Sequence, residues 1–209
     1  MTSDDDRQFP AALAAAMAVT LTYDEDGLDF EPFEAFLSAA ETTGWLRAWA
    51  RNPALHGDAF RVFGQDGTGG YAAFWLTRQD QPLVEQPVVF LGSEGETGVV
   101  ARNLDDFLWV LADGLGPYDA ADLRERERPS HPHPTLTAIA ERFAPDRRRP
   151  GLALIEAAER EFPDFDDLIL GLCELHEPTQ PATDLPREHP AEPARSPNEG
   201  EQATLAFPI

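Results

Sequence analysis

The chain contains no lysine: among its 209 residues all 16 basic ones are arginine. That absence removes Walker-A phosphate binding, Schiff-base chemistry and lysine general-base chemistry. Cysteine is almost absent as well. The one thiol, Cys173, cannot close an intrachain disulfide or build a thiolate cluster, which accords with a reducing compartment. Positive charge as a whole is scarce, since 38 Asp plus Glu outweigh 16 Arg and leave a formal net charge of -22. Phosphate binding requires clustered cations, so no nucleic acid is expected as a ligand, and a partner is expected to be basic or indifferent to charge. No apolar run approaches the roughly 20 residues of a membrane-spanning helix. Residues 11–19 have the length of a secretory core segment, but Asp4, Asp5 and Asp6 precede them where positive charge is required. The expectation is a cytoplasmic protein with no membrane contact.

What is present divides into stretches of different texture. Pro32 suits a first helical turn, and Phe33, Phe36, Leu37 and Ala40 follow at helical spacing, with Gly44 as an interruption and Trp45 and Trp49 on a second helical piece. From residue 60 short β-type runs alternate with turn residues. Residues 60–63 and 71–76 flank a glycine-rich turn, 87–91 read as a third strand and 98–101 as a fourth. The links are short, so neighbours are expected to be antiparallel. On this pattern Phe74 and Leu76 share one sheet face and Tyr71 and Trp75 the other, one face covered by helices and the other a candidate contact surface. Asn103 caps a helix whose Asp105 and Asp106 suit its positive N-terminus and whose Leu104, Phe107, Leu108 and Leu111 form a buried stripe.

After Gly114 a charged, proline-bearing link is expected over 115–134. A helical annex follows over 135–176, with stripes at Leu136, Ile139, Ala140 and Phe143, at Leu152, Ile155 and Ala158, and at Leu168, Leu172 and Leu175. Residues 177–209 are proline-rich, acidic and poor in hydrophobes, a composition expected to stay disordered because it buries too little to offset ordering entropy. The fold class is therefore α+β: a small antiparallel-rich sheet of about four strands packed by helices in residues 1–114, a helical C-terminal annex, and a tail.

Three segments carry a resemblance. They are Gly70-Tyr71-Ala72-Ala73-Phe74-Trp75, then Pro87-Val88-Val89-Phe90-Leu91-Gly92-Ser93-Glu94-Gly95, then Asn103-Leu104 leading to Phe107, Leu108 and Leu111. In this order the region from Phe60 to Gly114 resembles the SUKH superfamily, which groups bacterial toxin-immunity proteins with cell-wall-assembly regulators. The family's usual Leu-Pro pair before the first strand has no clear counterpart, and the annex lies outside the usual domain. The resemblance implies an α+β domain that binds another protein, typically covering a toxin's active site.

Other motifs weaken on inspection. The run from Gly64 to Gly70 invites a phosphate-loop reading, but it lacks lysine, fits no nucleotide fingerprint and joins two strands, so it reads as a turn. Gly92-Ser93-Glu94-Gly95 resembles a nucleophile elbow without its intervening residue. Glu94 and Glu96 would share a side in extended chain and could pair for hydrolysis, yet in so acidic a chain they read better as recognition charges. His131 and His133 alternate with proline and are not expected to converge on a metal. Cys173 and His176 sit three apart with nothing to lower the thiol pKa. Asp24, Asp26, Gly27 and Asp29 lack the spacing of a calcium loop.

The expectation is a non-enzymatic, cofactor-free and metal-free protein-binding module, foremost an immunity protein that neutralises a toxin by occlusion. The partner would be a basic toxin such as a nuclease. A regulatory scaffold and a carboxylate-dependent hydrolase are the alternatives. The partner-binding candidates are Asp66, Tyr71, Trp75, Glu94 and Glu96.

Overall fold

Short, largely apolar runs between turn signals produce β2 (Phe60–Gln65), β3 (Tyr71–Trp75), β4 (Val88–Leu91) and β5 (Thr97–Ala101), and with the two-residue β1 (Glu31–Pro32) they make five strands among the described residues. They form one antiparallel meander in chain order. The computed structural model describes residues 7–21, 28–122 and 131–174, all within the unit Met1–Glu177. Asp24, Asp26, the arginines of 124–128, Leu175, His176 and the tail 177–209 lie outside the described residues. Among the described residues seven helices accompany the sheet: α1 (Ala11–Met17), α2 (Ala39–Trp49), α3 (Leu104–Ala112), α4 (Pro117–Ala121), α5 (Pro134–Phe143), α6 (Gly151–Glu161) and α7 (Phe165–Glu174). The fold is α+β, with five strands where about four were expected.

The start of the first helix differs from the sequence expectation. Pro32 belongs to β1, and residues 33–37 stay out of the helix, bending at Glu34 and Ala35, because Phe33 N–H donates to Phe63 O at 2.9 Å and Leu37 N–H to Val62 O at 3.0 Å. These donors complete the edge of β2. The helix begins only after Ser38, which caps it in a Ser-x-x-Glu box with Glu41, and it then runs through Gly44 without a break.

One sheet face carries Phe63, Ala72, Phe74, Val88, Phe90 and Val100 under α3. Each of these phenylalanines, fully buried, contributes about 2–3 kcal/mol of apolar burial. Helix α3 is buried on nearly every side, as its run Phe107-Leu108-Trp109-Val110-Leu111-Ala112 requires. Its outer side meets α5 and α6, and the Trp109 indole donates to Ala144 O at 2.8 Å.

The other sheet face was expected to be a contact surface, and it is covered instead. Val62, Ala73, Val89, Leu91 and Val99 pack there against Leu46 of α2, Ala158 of α6, and Phe165 and Ile169 of α7. Strands this apolar on both sides need cover on both sides. The segment read as an annex is thus part of the same core: Leu136, Ala140, Leu154 and Ile155 join the α3 side while Ala158, Phe165 and Ile169 join the opposite one. Arg78, after β3, pairs with Glu161 of α6 and reinforces that union. The buried stripe of α7 is Phe165, Ile169 and the partly buried Leu172, so Leu168, placed inward by the sequence reading, lies outward and 46 % exposed. His133 caps α5, its Nδ1 accepting from Leu136 N–H at 3.3 Å.

Candidate functional site

The end of the sheet where two hairpin turns lie side by side gathers most of the candidate residues. Between β2 and β3, Asp66 folds its carboxylate into the turn, accepting from Gly70 N–H at 2.7 Å, Thr68 N–H at 3.0 Å and Thr68 Oγ1–H at 2.9 Å. Asp29 accepts from Gly67 N–H at 2.8 Å and braces the turn from outside. Between β4 and β5, Gly95 adopts φ +99°, the left-handed conformation that closes the second turn. Ser93 Oγ donates to Thr68 Oγ1 at 2.9 Å, joining the two turns. Gly70 is necessary there, since a Cβ on it would lie 2.5 Å from the Phe90 ring and 2.9 Å from Gly92 Cα.

Beside the second turn lies a cleft of about 560 Å³ between Trp49 at the end of α2, Ser93, Glu94, Gly95 and Thr97, and the outer side of α7. Trp49 is held by its indole N–H, which donates to Gly92 O at 2.7 Å. Helix α7 is held at both ends: Thr97 Oγ1 donates to Asp166 Oδ1 at 2.5 Å, and the buried Asn52 donates through Nδ2 to Leu172 O at 2.9 Å. The lining is mixed, with Ile169, Leu170 and Cys173 apolar and Glu94, Asp166 and Asp167 acidic, and no arginine among it. Leu170 is 55 % exposed, and it and Leu168 are the large exposed hydrophobes among the described residues.

The five sequence candidates fare differently. Asp66 is 2 % exposed and its carboxylate is consumed by its own turn, so it presents no recognition charge. Trp75 is partly buried against the C-terminal helices, its ring 5.5 Å from Phe162 and 5.1 Å from Phe165. Tyr71 is half-buried in an aromatic row, with Trp45 stacked on it at 4.4 Å and Phe33 edge-on at 5.9 Å. Burial, and then the nearby Glu41 carboxylate, push the Tyr71 hydroxyl pKa above its ordinary value. Trp45 also stacks on Trp49 at 5.6 Å, so the row runs to the cleft. Glu94 is exposed at the cleft mouth. Glu96 folds back over Gly92, where an added Cβ would sit 2.5 Å from its Oε2. Glu94 and Glu96 thus sit on a tight turn, not on the extended chain expected to align them.

Trp49, Asp166, Asp167 and Leu170 were not singled out as site residues. The available signal was in α7, where the apolar Leu170 falls outside the helical stripe that Phe165, Leu168, Ile169 and Leu172 can form. No family model matches the chain, and neither a curated protein nor a solved structure is similar to it.

Proposed function

We propose that the chain is a non-catalytic protein-binding module, an immunity protein of the SUKH kind that neutralises a cognate toxin by covering its active site. The observation that carries this reading is the cleft, which sets an apolar wall beside exposed carboxylates with no arginine among its lining residues. Such a mixture suits a protein surface: the apolar part supplies affinity on desolvation, and the charge selects a basic partner and speeds encounter. The net charge of -22 adds a long-range attraction for a cationic toxin such as a nuclease with a basic substrate groove. A stable complex buries on the order of 1,600 Å² in total, so the contact would extend from the cleft over the neighbouring turns and the Trp45–Tyr71 row. Glu94 lines this cleft and Glu96 does not, which speaks against the hydrolase alternative.

The test is neutralisation of a basic toxin encoded beside this chain. Equimolar full-length protein should abolish the toxin's activity, with an association rate that falls at least tenfold between 50 and 500 mM salt, as steered encounters do. Failure to inhibit at a tenfold excess over the toxin, or substrate turnover by the chain itself that Glu94→Gln removes, would refute the proposal.

A further inference from the structure

We infer that the cleft between the 92–97 turn and α7 is an arginine-reading pocket, receiving an arginine-bearing segment of the partner protein flanked by an apolar residue. This rests on the binding function proposed above and names the chemistry that the site takes.

Charge provides the first argument. Most acidic side chains near this end of the molecule are spent on their own chain: Asp66 on its turn, Asp29 on Gly67, and Asp166 on Thr97. Glu94 and Asp167 have no hydrogen-bond or ion-pair partner among the described residues, and both are exposed at the cleft. Two unspent carboxylates facing a cavity favour a cation from outside.

The wall decides which cation. The carboxylates are not gathered into a cage, and among the described residues no group of three or more His, Cys, Asp or Glu could hold a metal ion. They border an apolar surface of Trp49 and the exposed Leu170, with the buried Ile169 beneath. A cation on a long apolar stem matches that arrangement, stem against the leucine and the indole, charge at the acidic rim. Trp49 then favours arginine over lysine. Its N–H is used by Gly92 O and Trp45 is stacked on one face, so what remains of it to offer the cleft is aromatic carbon. A planar guanidinium stacks on such a surface and forks to carboxylates, whereas an ammonium is a more strongly hydrated point charge. Leu170, exposed at the rim, is placed to meet the flanking apolar residue. A volume of about 560 Å³ admits one such side chain with part of its neighbours.

The experiment uses the isotope-labelled full chain and three acetylated, amidated Leu-X-Leu-X tetrapeptides with X as arginine, lysine or citrulline. The arginine peptide should shift the Trp49 indole N–H and the signals of Gly95, Ile169 and Leu170. Its affinity should exceed that of the lysine peptide about threefold, and the citrulline peptide should not bind. Glu94→Gln with Asp167→Asn should weaken the arginine peptide about tenfold, and Leu170→Ala about threefold, with thermal unfolding unchanged. Shifts centred elsewhere, no binding at millimolar peptide, equal binding of citrulline, or indifference to the double substitution would each overturn the inference. The two proposals fail separately. A toxin neutralised equally well by E94Q/D167N leaves the function standing and removes the pocket, whereas peptide binding in the cleft without toxin neutralisation does the reverse.

Discussion

Replacing Asp66 by alanine removes the acceptor on which the β2–β3 turn is built. The carboxylate takes two backbone N–H groups and one hydroxyl, and Asp66 itself is 2 % exposed. Thr68 reaches water and recovers a partner, but Gly70 is buried and its N–H is left without one. A hydrogen bond to a charged acceptor contributes about 1.5–3 kcal/mol, and an orphaned buried donor costs about 1–3 kcal/mol, so Asp66→Ala should lose about 3 kcal/mol. Asp66→Asn keeps an oxygen of the right shape and should lose only about 1 kcal/mol. Urea unfolding followed by tryptophan fluorescence measures both. The midpoint should fall with an unchanged slope, and in a scan of a protein this size about 3 kcal/mol corresponds to roughly 6–12 °C in Tm. An alanine variant within about 0.5 kcal/mol of the parent, or an asparagine variant as unstable as the alanine one, would refute a structural role for this carboxylate.

Two further outcomes follow from the same geometry. Trp75→Ala should cost about 3 kcal/mol by urea unfolding, because its ring packs on Phe162 and Phe165, and a loss under about 1 kcal/mol would mean the C-terminal helices are loosely held. Asp105 has its pKa raised, first by burial and then by the Glu85 and Asp106 carboxylates, against the pull of Arg147. A folded-state pKa above the unfolded one means the fold binds the proton more tightly, so this residue's contribution to stability is present below the unfolded value and lost as pH climbs through the folded one. Asp105→Asn should therefore raise Tm by a degree or two at pH 7 relative to the parent, and less at pH 3; equal gains at both pH values would show that the shift has another origin.

Much of the architecture was legible locally. Alternation and turn residues marked β2 to β5, since a strand with apolar side chains on both faces announces itself in the run Val88-Val89-Phe90-Leu91. Asn103 with Asp105 and Asp106 marked the start of α3. Where the reading slipped, a contact distant in sequence outweighed local preference. The bent, non-helical path of residues 33–37 is set by backbone bonds to β2, some thirty residues on, which no helical periodicity in Phe33, Phe36 and Leu37 reveals.

The candidate site was less legible, for a related reason. Composition alone told that the molecule is a polyanion without lysine, because charge and residue type need no coordinates. It could not tell which carboxylates are spent inside the chain and which face outward. Asp66 and Glu94 are both acidic residues in hairpin turns; one is drawn into its own turn by Thr68 and Gly70, and the other stands at a cleft that forms only once α7 lies beside the second turn. The cleft joins Trp49 to Leu170 across more than a hundred residues, and a site assembled from such distant pieces exists only once the helices have closed over the sheet.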